Sequence, residues 1–212
     1  KMANEDVSIY NDYLKNSKRI LSVISSGDQI IESITSEKKI IDCFDIEHVQ
    51  YFEGEYDNNK VSICKIFTSL NYSIVPIEHI EIYCANNDMT VFDLVSQYDS
   101  YSYHMMNIVD YLVGNTDRHW GNWGFLVDNS NNKIAKLFPL MDFNKAFNSY
   151  DTLDGVKCQT TPKTMSQLEA AVEAVKAVGL NQIHEVKKEW FESEEQYNMF
   201  CRRLNVLNQN LI

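Results

Sequence analysis

From Met105 to Asp142 the sequence changes character several times, and each change falls at turn residues. The run Met105, Met106, Ile108, Val109, Tyr111, Leu112, Val113 predicts a buried helix, and Gly114-Asn115 predicts its end. A polar, glycine-bearing loop over 114–122 follows. Trp123–Val127 and Ile134–Phe138 then read as two strands joined by Asp128-Asn129-Ser130-Asn131-Asn132, a strong turn composition. A strand pair returns the chain to the place it left. Asn122 and Asp142, which flank the pair, are therefore expected as neighbours in space.

The remaining segments supply the body around this core. Ile9, Tyr13, Ile20, Leu21 and Ile24 give residues 5–25 an approximate helical period, stopped by Ser25-Ser26-Gly27, and a second helix is expected over 28–44. From His48 to Phe67 the text turns β-branched and aromatic. There Glu55-Tyr56-Asp57-Asn58-Asn59 separates Val49–Phe52 from Val61–Phe67, which signals a hairpin. Leu94 and the aromatic residues near Tyr101 continue a helical layer. Helices are also expected from Met165 to Val178, ended by Gly179, and from Glu194 to Leu207. The fold class is α+β, mainly α, divided into residues 1–67, with helices and the hairpin, and residues 68–212, a helical lobe.

A chain of 212 residues with 44% apolar content can bury a sizeable core. Its net charge of −11 argues against a non-specific nucleic-acid binder, which needs clustered lysine and arginine. Cys43, Cys64, Cys84, Cys158 and Cys201 are scattered without a C-x-x-C pair, so neither a zinc site nor a disulfide framework is indicated. No run of eighteen apolar residues occurs. A reducing, cytoplasmic setting away from membranes is the expectation.

The chemistry concentrates on the loop. In Gly114-Asn115-Thr116-Asp117-Arg118-His119-Trp120-Gly121-Asn122, a carboxylate and an amide stand five residues apart. Phosphoryl transfer needs a group that orients or deprotonates the acceptor hydroxyl, plus oxygen ligands that hold magnesium against phosphates. The D-x-x-x-x-N spacing is that of kinase catalytic loops, and Asp142-Phe143-Asn144 occupies the place of their magnesium-binding D-F-G.

At these residues the chain resembles the HipA-like serine/threonine kinases, a family distantly related to eukaryotic protein kinases and to phosphatidylinositol 3-/4-kinases. His48-Val49-Gln50-Tyr51, Ser62-Ile63-Cys64-Lys65-Ile66-Phe67 and Ile74-Val75-Pro76 look like that family's approach to its interlobe hinge, so the likeness spans residues 28–148. The resemblance implies ATP and Mg2+ as cofactors and a protein substrate. Asp117 would be the catalytic base, His119 would lie near the γ-phosphate, and Asn122 and Asp142 would bind the metal and nucleotide. The backbone of Lys65, Ile66 and Phe67 would face adenine. A toxin–antitoxin setting, with an antitoxin-like partner or one supplying an N-terminal lobe, belongs to the same implication.

The departures point to a protein-kinase-like catalytic lobe with a reduced or missing N-terminal lobe. The seven glycines form no phosphate-covering loop, and nothing before residue 28 reads as a strand. Glu32 has no strand lysine to pair with, since Lys1, Lys15 and Lys18 lack strand context. A pseudokinase or binding module is thus the second reading, and a lipid or small-molecule kinase the third, because Asp117-Arg118-His119-x-x-Asn122 also resembles the phosphatidylinositol-kinase loop. Bland alternatives stand beside each residue. Asp117, Asn122 and Asp142 are turn-capping types, His119 can serve the loop's own hydrogen bonds, and Trp120 and Trp123 read as core anchors before ligand-stacking groups.

Overall fold

The computed structural model describes residues 21–25, 39–56, 59–65, 67–143, 145–147, 152–161 and 163–211. Its strands form two antiparallel sheets. The first contains β1 (Leu21–Ser25), β2 (Tyr51–Tyr56) and β3 (Asn59–Lys65) in the order β1-β3-β2, and the second contains β4 (Tyr72–Pro76), β5 (Gly124–Asp128) and β6 (Lys133–Leu137) in the order β4-β5-β6. The helices are α1 (Ile77–Asn86), α2 (Val91–Val113), α3 (Gln167–Val178) and α4 (Glu194–Gln209), with a 3-10 turn at Lys188–Trp190.

The helix expected over 5–25 is corrected at its end. Leu21–Ser25 is a strand, paired residue by residue with Val61–Lys65 of β3. Leu-Ser-Val-Ile-Ser fits a period of two as well as a helical one, and a ladder with residues far along the chain decides between them. A strand therefore does precede residue 28, and the first sheet has three strands where the sequence suggested a hairpin alone. Residues 5–20 lie outside the described residues, as do Lys1, Glu32, Ile66 and Asn144. Of the helix expected over 28–44, residues 39–41 are helical and the chain turns at Asp42. In the hairpin, Tyr56 pairs with Asn59, so the arms reach into what composition marked as turn.

α2 organises the second part. A capping box at Thr90 and Asp93 starts it, and Gly114, in the left-handed region at φ 61°, ends it. From Met105 to Val113 every residue is buried, which marks a helix surrounded by protein on all sides. Asp99 breaks its regularity at φ −161°. The carboxylate of that residue accepts the Ser102 N–H at 3.1 Å, which caps the second half of the helix, and the Leu137 N–H at 3.1 Å, which pins the end of β6. α4 is fastened by Arg203, fully buried, whose guanidinium donates to the Tyr111 carbonyl at 2.7 Å and the Thr152 carbonyl at 2.8 Å. A cation at the last turn of α2 also suits the negative end of its dipole.

Candidate active site

The loop from Gly114 to Trp123 is held from several sides. Pro76 offers α1 no side-chain cap, and the first N–H groups of that helix instead find loop carbonyls. Ile77 donates to Trp123 at 3.1 Å and Glu78 to Trp120 at 3.2 Å. Gly124, next along, lies so close to β4 that a Cβ would run into the Val75 carbonyl. From below, Gln167 at the start of α3 donates to the Asn115 carbonyl at 2.6 Å.

Inside the loop, Asn115 is fully buried and makes an Asx-type turn: its Oδ1 accepts the Asp117 N–H at 3.1 Å while its amide donates to Asp110 at 3.0 Å. Asn122, also buried, donates to the Asp117 carbonyl at 2.6 Å and accepts the His119 N–H at 3.1 Å. Its amide lies 3.5 Å from the Asp142 carboxylate. Asp117, Asn122 and Asp142 thus meet at one place, as the strand pair leads one to expect. The bland reading also holds in part, because Asn122 shapes the loop by these same bonds. His119 accepts the Gly121 N–H on Nδ1 at 3.0 Å, so the neutral ring carries its proton on Nε2.

Asp142 sits at φ 63°, a left-handed conformation that aspartate tolerates and most side chains do not. Arg118 holds that strained segment. Its guanidinium grips Asp110 with two bonds, at 2.8 and 3.0 Å, and donates to the carbonyls of Asn122 at 3.2 Å and Met141 at 2.8 Å. It also lies over the Phe143 ring, 5.1 Å from its centroid. Both Arg118 and Asp110 are buried. A buried guanidinium fully used by one carboxylate and two carbonyls leaves no charge uncompensated. Sequence reading passed over Arg118, and nothing in the sequence tied it to Asp110 eight residues earlier.

Two more residues reach the site unannounced. Lys145, just past the D-F-N segment, pairs with Asp117 Oδ1 at 2.8 Å. Tyr51, the first residue of β2, hydrogen-bonds the Asp142 backbone, and burial with Cys64 close by pushes its pKa up to about 12. Its hydroxyl therefore remains protonated at working pH. A lysine three residues beyond Asp142 is a signal that could have been noticed. Tyr51 gave none, since only the fold brings it there.

Of the remaining expected site residues, Lys65 and Phe67 are among the described residues. Lys65 ends β3 and Phe67 begins the connection to the second sheet, where its ring stacks on Phe138 at 5.9 Å. Trp123 is core, 2% exposed, as expected. Trp120 is half-buried, donates its indole N–H to the Gln159 carbonyl at 2.5 Å and lines a cavity beside the loop.

The chain is similar to a known kinase in sequence and in fold. The serine/threonine-protein kinase CtkA of Helicobacter pylori strain J99 is 31% identical over 134 residues, covering 56% of this chain and 40% of that protein, so the chain spans well under half of the relative's length. The crystal structure of a Helicobacter pylori proinflammatory kinase CtkA superposes with a TM-score of 0.62 at 16% identity, over 92% of this chain and 88% of that one, a likeness of fold. The family model for phosphatidylinositol 3- and 4-kinases matches residues 11–207, a span that runs from before β1 well into α4. With both sheets, the loop and the Asp142 segment inside that match, the chain belongs to the phosphatidylinositol 3- and 4-kinase family.

Proposed function

We propose that this chain is a HipA-like serine/threonine kinase domain that transfers the γ-phosphoryl group of ATP to a protein hydroxyl. The observation that carries the reading is the meeting of Asn122 with Asp142 at 3.5 Å, on a loop that also presents Asp117. Among the described residues, no three His, Cys, Asp or Glu side chains gather as a self-sufficient metal site. Asn122 turns its Nδ2 to Asp142, and its Oδ1, which accepts one N–H, keeps a lone pair, so one carboxylate and one amide oxygen fit Mg2+ held jointly with phosphates. Asp142 and Asn122 would hold it, and the charge it supplies when bound neutralises the β- and γ-phosphates.

Asp117 then accepts the proton of the acceptor hydroxyl as its oxygen attacks the γ-phosphorus and the bond to ADP breaks. Lys145 engages Oδ1, and Oδ2 takes the acceptor proton in this reading. His119, with its proton on Nε2, donates to the γ-phosphate in this reading. The backbone of Lys65, Ile66 and Phe67 contacts adenine in this reading. A partner protein, of antitoxin type or supplying further N-terminal lobe, fits the short first sheet. Two other readings have a specific motive: the family match favours a lipid acceptor, and a sequence whose seven glycines form no phosphate-covering loop favours a pseudokinase.

The test begins with nucleotide. Mg2+ and ATP are expected to raise the melting temperature of the wild type, and Asp142→Ala to abolish that rise. With γ-labelled ATP and a general protein acceptor such as casein, Asp117→Asn is expected to lower transfer by at least about 100-fold with the melting temperature kept. Transfer by Asp117→Asn at the wild-type rate sinks the role of the base. Transfer to phosphatidylinositol vesicles but to no protein selects the lipid kinase, and no response to nucleotide selects the pseudokinase.

A further inference from the structure

Beside the loop, between α1, the start of α2 and Trp120, lies a cavity of about 250 Å³. Its walls are mainly apolar, formed by Cys84, Met89, Phe92, Tyr103, Trp120 and Trp123. Past Phe92 and Tyr103 it meets a second cavity of about 220 Å³ that reaches Met165 and Lys163, the latter already paired with Glu173 at 3.4 Å. The place matters because Trp120 belongs to the same loop as Asp117. Whatever fills the first cavity lies alongside the catalytic loop.

Acidic groups stand on the elements that bound the first cavity. Between Lys65 and Arg118 the sequence contains no lysine or arginine, while Glu78, Glu81, Asp88 and Asp93 are all exposed on α1, the turn after it and the first turn of α2. Glu81 lines the cavity itself, and Glu78 reaches the edge of Gly121. Apolar surface accompanies the charge at Phe92, which lines the cavity and is 44% exposed. Contiguous apolar surface rimmed by charge marks a binding site, and acidic groups select cationic partners by attraction and reject acidic ones by repulsion.

We propose that this groove docks the protein acceptor, and that the acceptor segment carries an apolar side chain flanked by lysine or arginine. The apolar residue fills the cavity against Phe92 and Trp120, and the cations lie along Glu78, Glu81 and Asp93. Docking there brings a nearby serine or threonine to Asp117. The inference rests on the protein-kinase reading above for the identity of the occupant as an acceptor. The net charge of −11 on the chain extends the same preference at longer range.

The experiment is fluorescence anisotropy on the whole chain, without nucleotide, using a labelled synthetic peptide with a serine and a leucine flanked by arginines. Controls are the same peptide with glutamates for arginines, and phosphatidylinositol vesicles. The basic peptide is expected to bind, the acidic one not, and both Glu81→Lys and Phe92→Ala to weaken binding at least about tenfold. The melting-temperature response to Mg2+ and ATP should be the same in both variants as in the wild type. Equal binding of the two peptides, binding of neither, binding of vesicles in their place, or indifference to Glu81→Lys overturns the docking proposal. Loss of the nucleotide response in the wild type instead overturns the kinase reading, so the two failures are told apart.

Discussion

Arg118 follows the proposed base directly, yet it acts on the backbone around it. Removing its guanidinium leaves Asp110 buried without its cation and frees the Met141 carbonyl just before Asp142. Arg118→Ala is therefore expected to cost about 3–5 kcal/mol in urea denaturation. Exchanging both members, Arg118→Met with Asp110→Leu, should recover most of that stability and none of the transfer, because the apolar pair cannot hold the Met141 and Asn122 carbonyls. If transfer returns along with stability, Arg118 is mere packing. Lys145 gives the opposite pattern. Its ion pair with Asp117 is 52% and 25% exposed at its two ends, and such pairs contribute less than about 1 kcal/mol. Lys145→Ala should leave unfolding unchanged and lower kcat by about tenfold, roughly 1.4 kcal/mol in the barrier.

At the level of elements, composition spoke clearly where a segment's neighbours are local. Both strands flanking the Asp128–Asn132 turn, the left-handed end of α2 at Gly114, and α3 and α4 all follow from periodicity and turn chemistry in their own stretch. β1 did not, because five residues fit either period and its partner β3 lies far along the sequence. The active site divides the same way. Asp117, Asn122 and Asp142 were legible through spacing and the intervening hairpin, whereas the Arg118–Asp110 grip and the approach of Tyr51 depend on tertiary placement. Gly124 is where element packing is tightest. Gly124→Ala forces a methyl group against the Val75 carbonyl and the Cα of Pro76, prying β5 from β4 and disturbing the start of α1. A loss of about 1–3 kcal/mol is expected from thermal unfolding, and an unchanged melting temperature would refute the close approach.

For the molecule as a whole, two buried phenols set its behaviour in alkali. Burial pushes both Tyr51 and Tyr111 up to about 12 from an ordinary value of 10.0. The native state then keeps protons that the unfolded chain gives up, so the stability these two phenols contribute is full below pH 10 and falls as pH rises toward 12. Tyr51→Phe and Tyr111→Phe should each flatten that decline in urea titrations at several pH values. A decline of the same steepness in both variants would assign it to other groups.

The β2–β3 hairpin leaves and rejoins the body at neighbouring points. On one side the Val49 N–H bonds the Leu140 carbonyl at 2.7 Å, and on the other Phe67 stacks on Phe138. Both feet of the hairpin thus stand on the short run from Phe138 to Leu140. Tyr51, two residues past one foot, is bonded to the backbone of Asp142, two residues past Leu140. The placement of the first sheet is thereby tied to the backbone of the residue that would meet the metal, so a substitution that shifts the sheet is felt at Asp142.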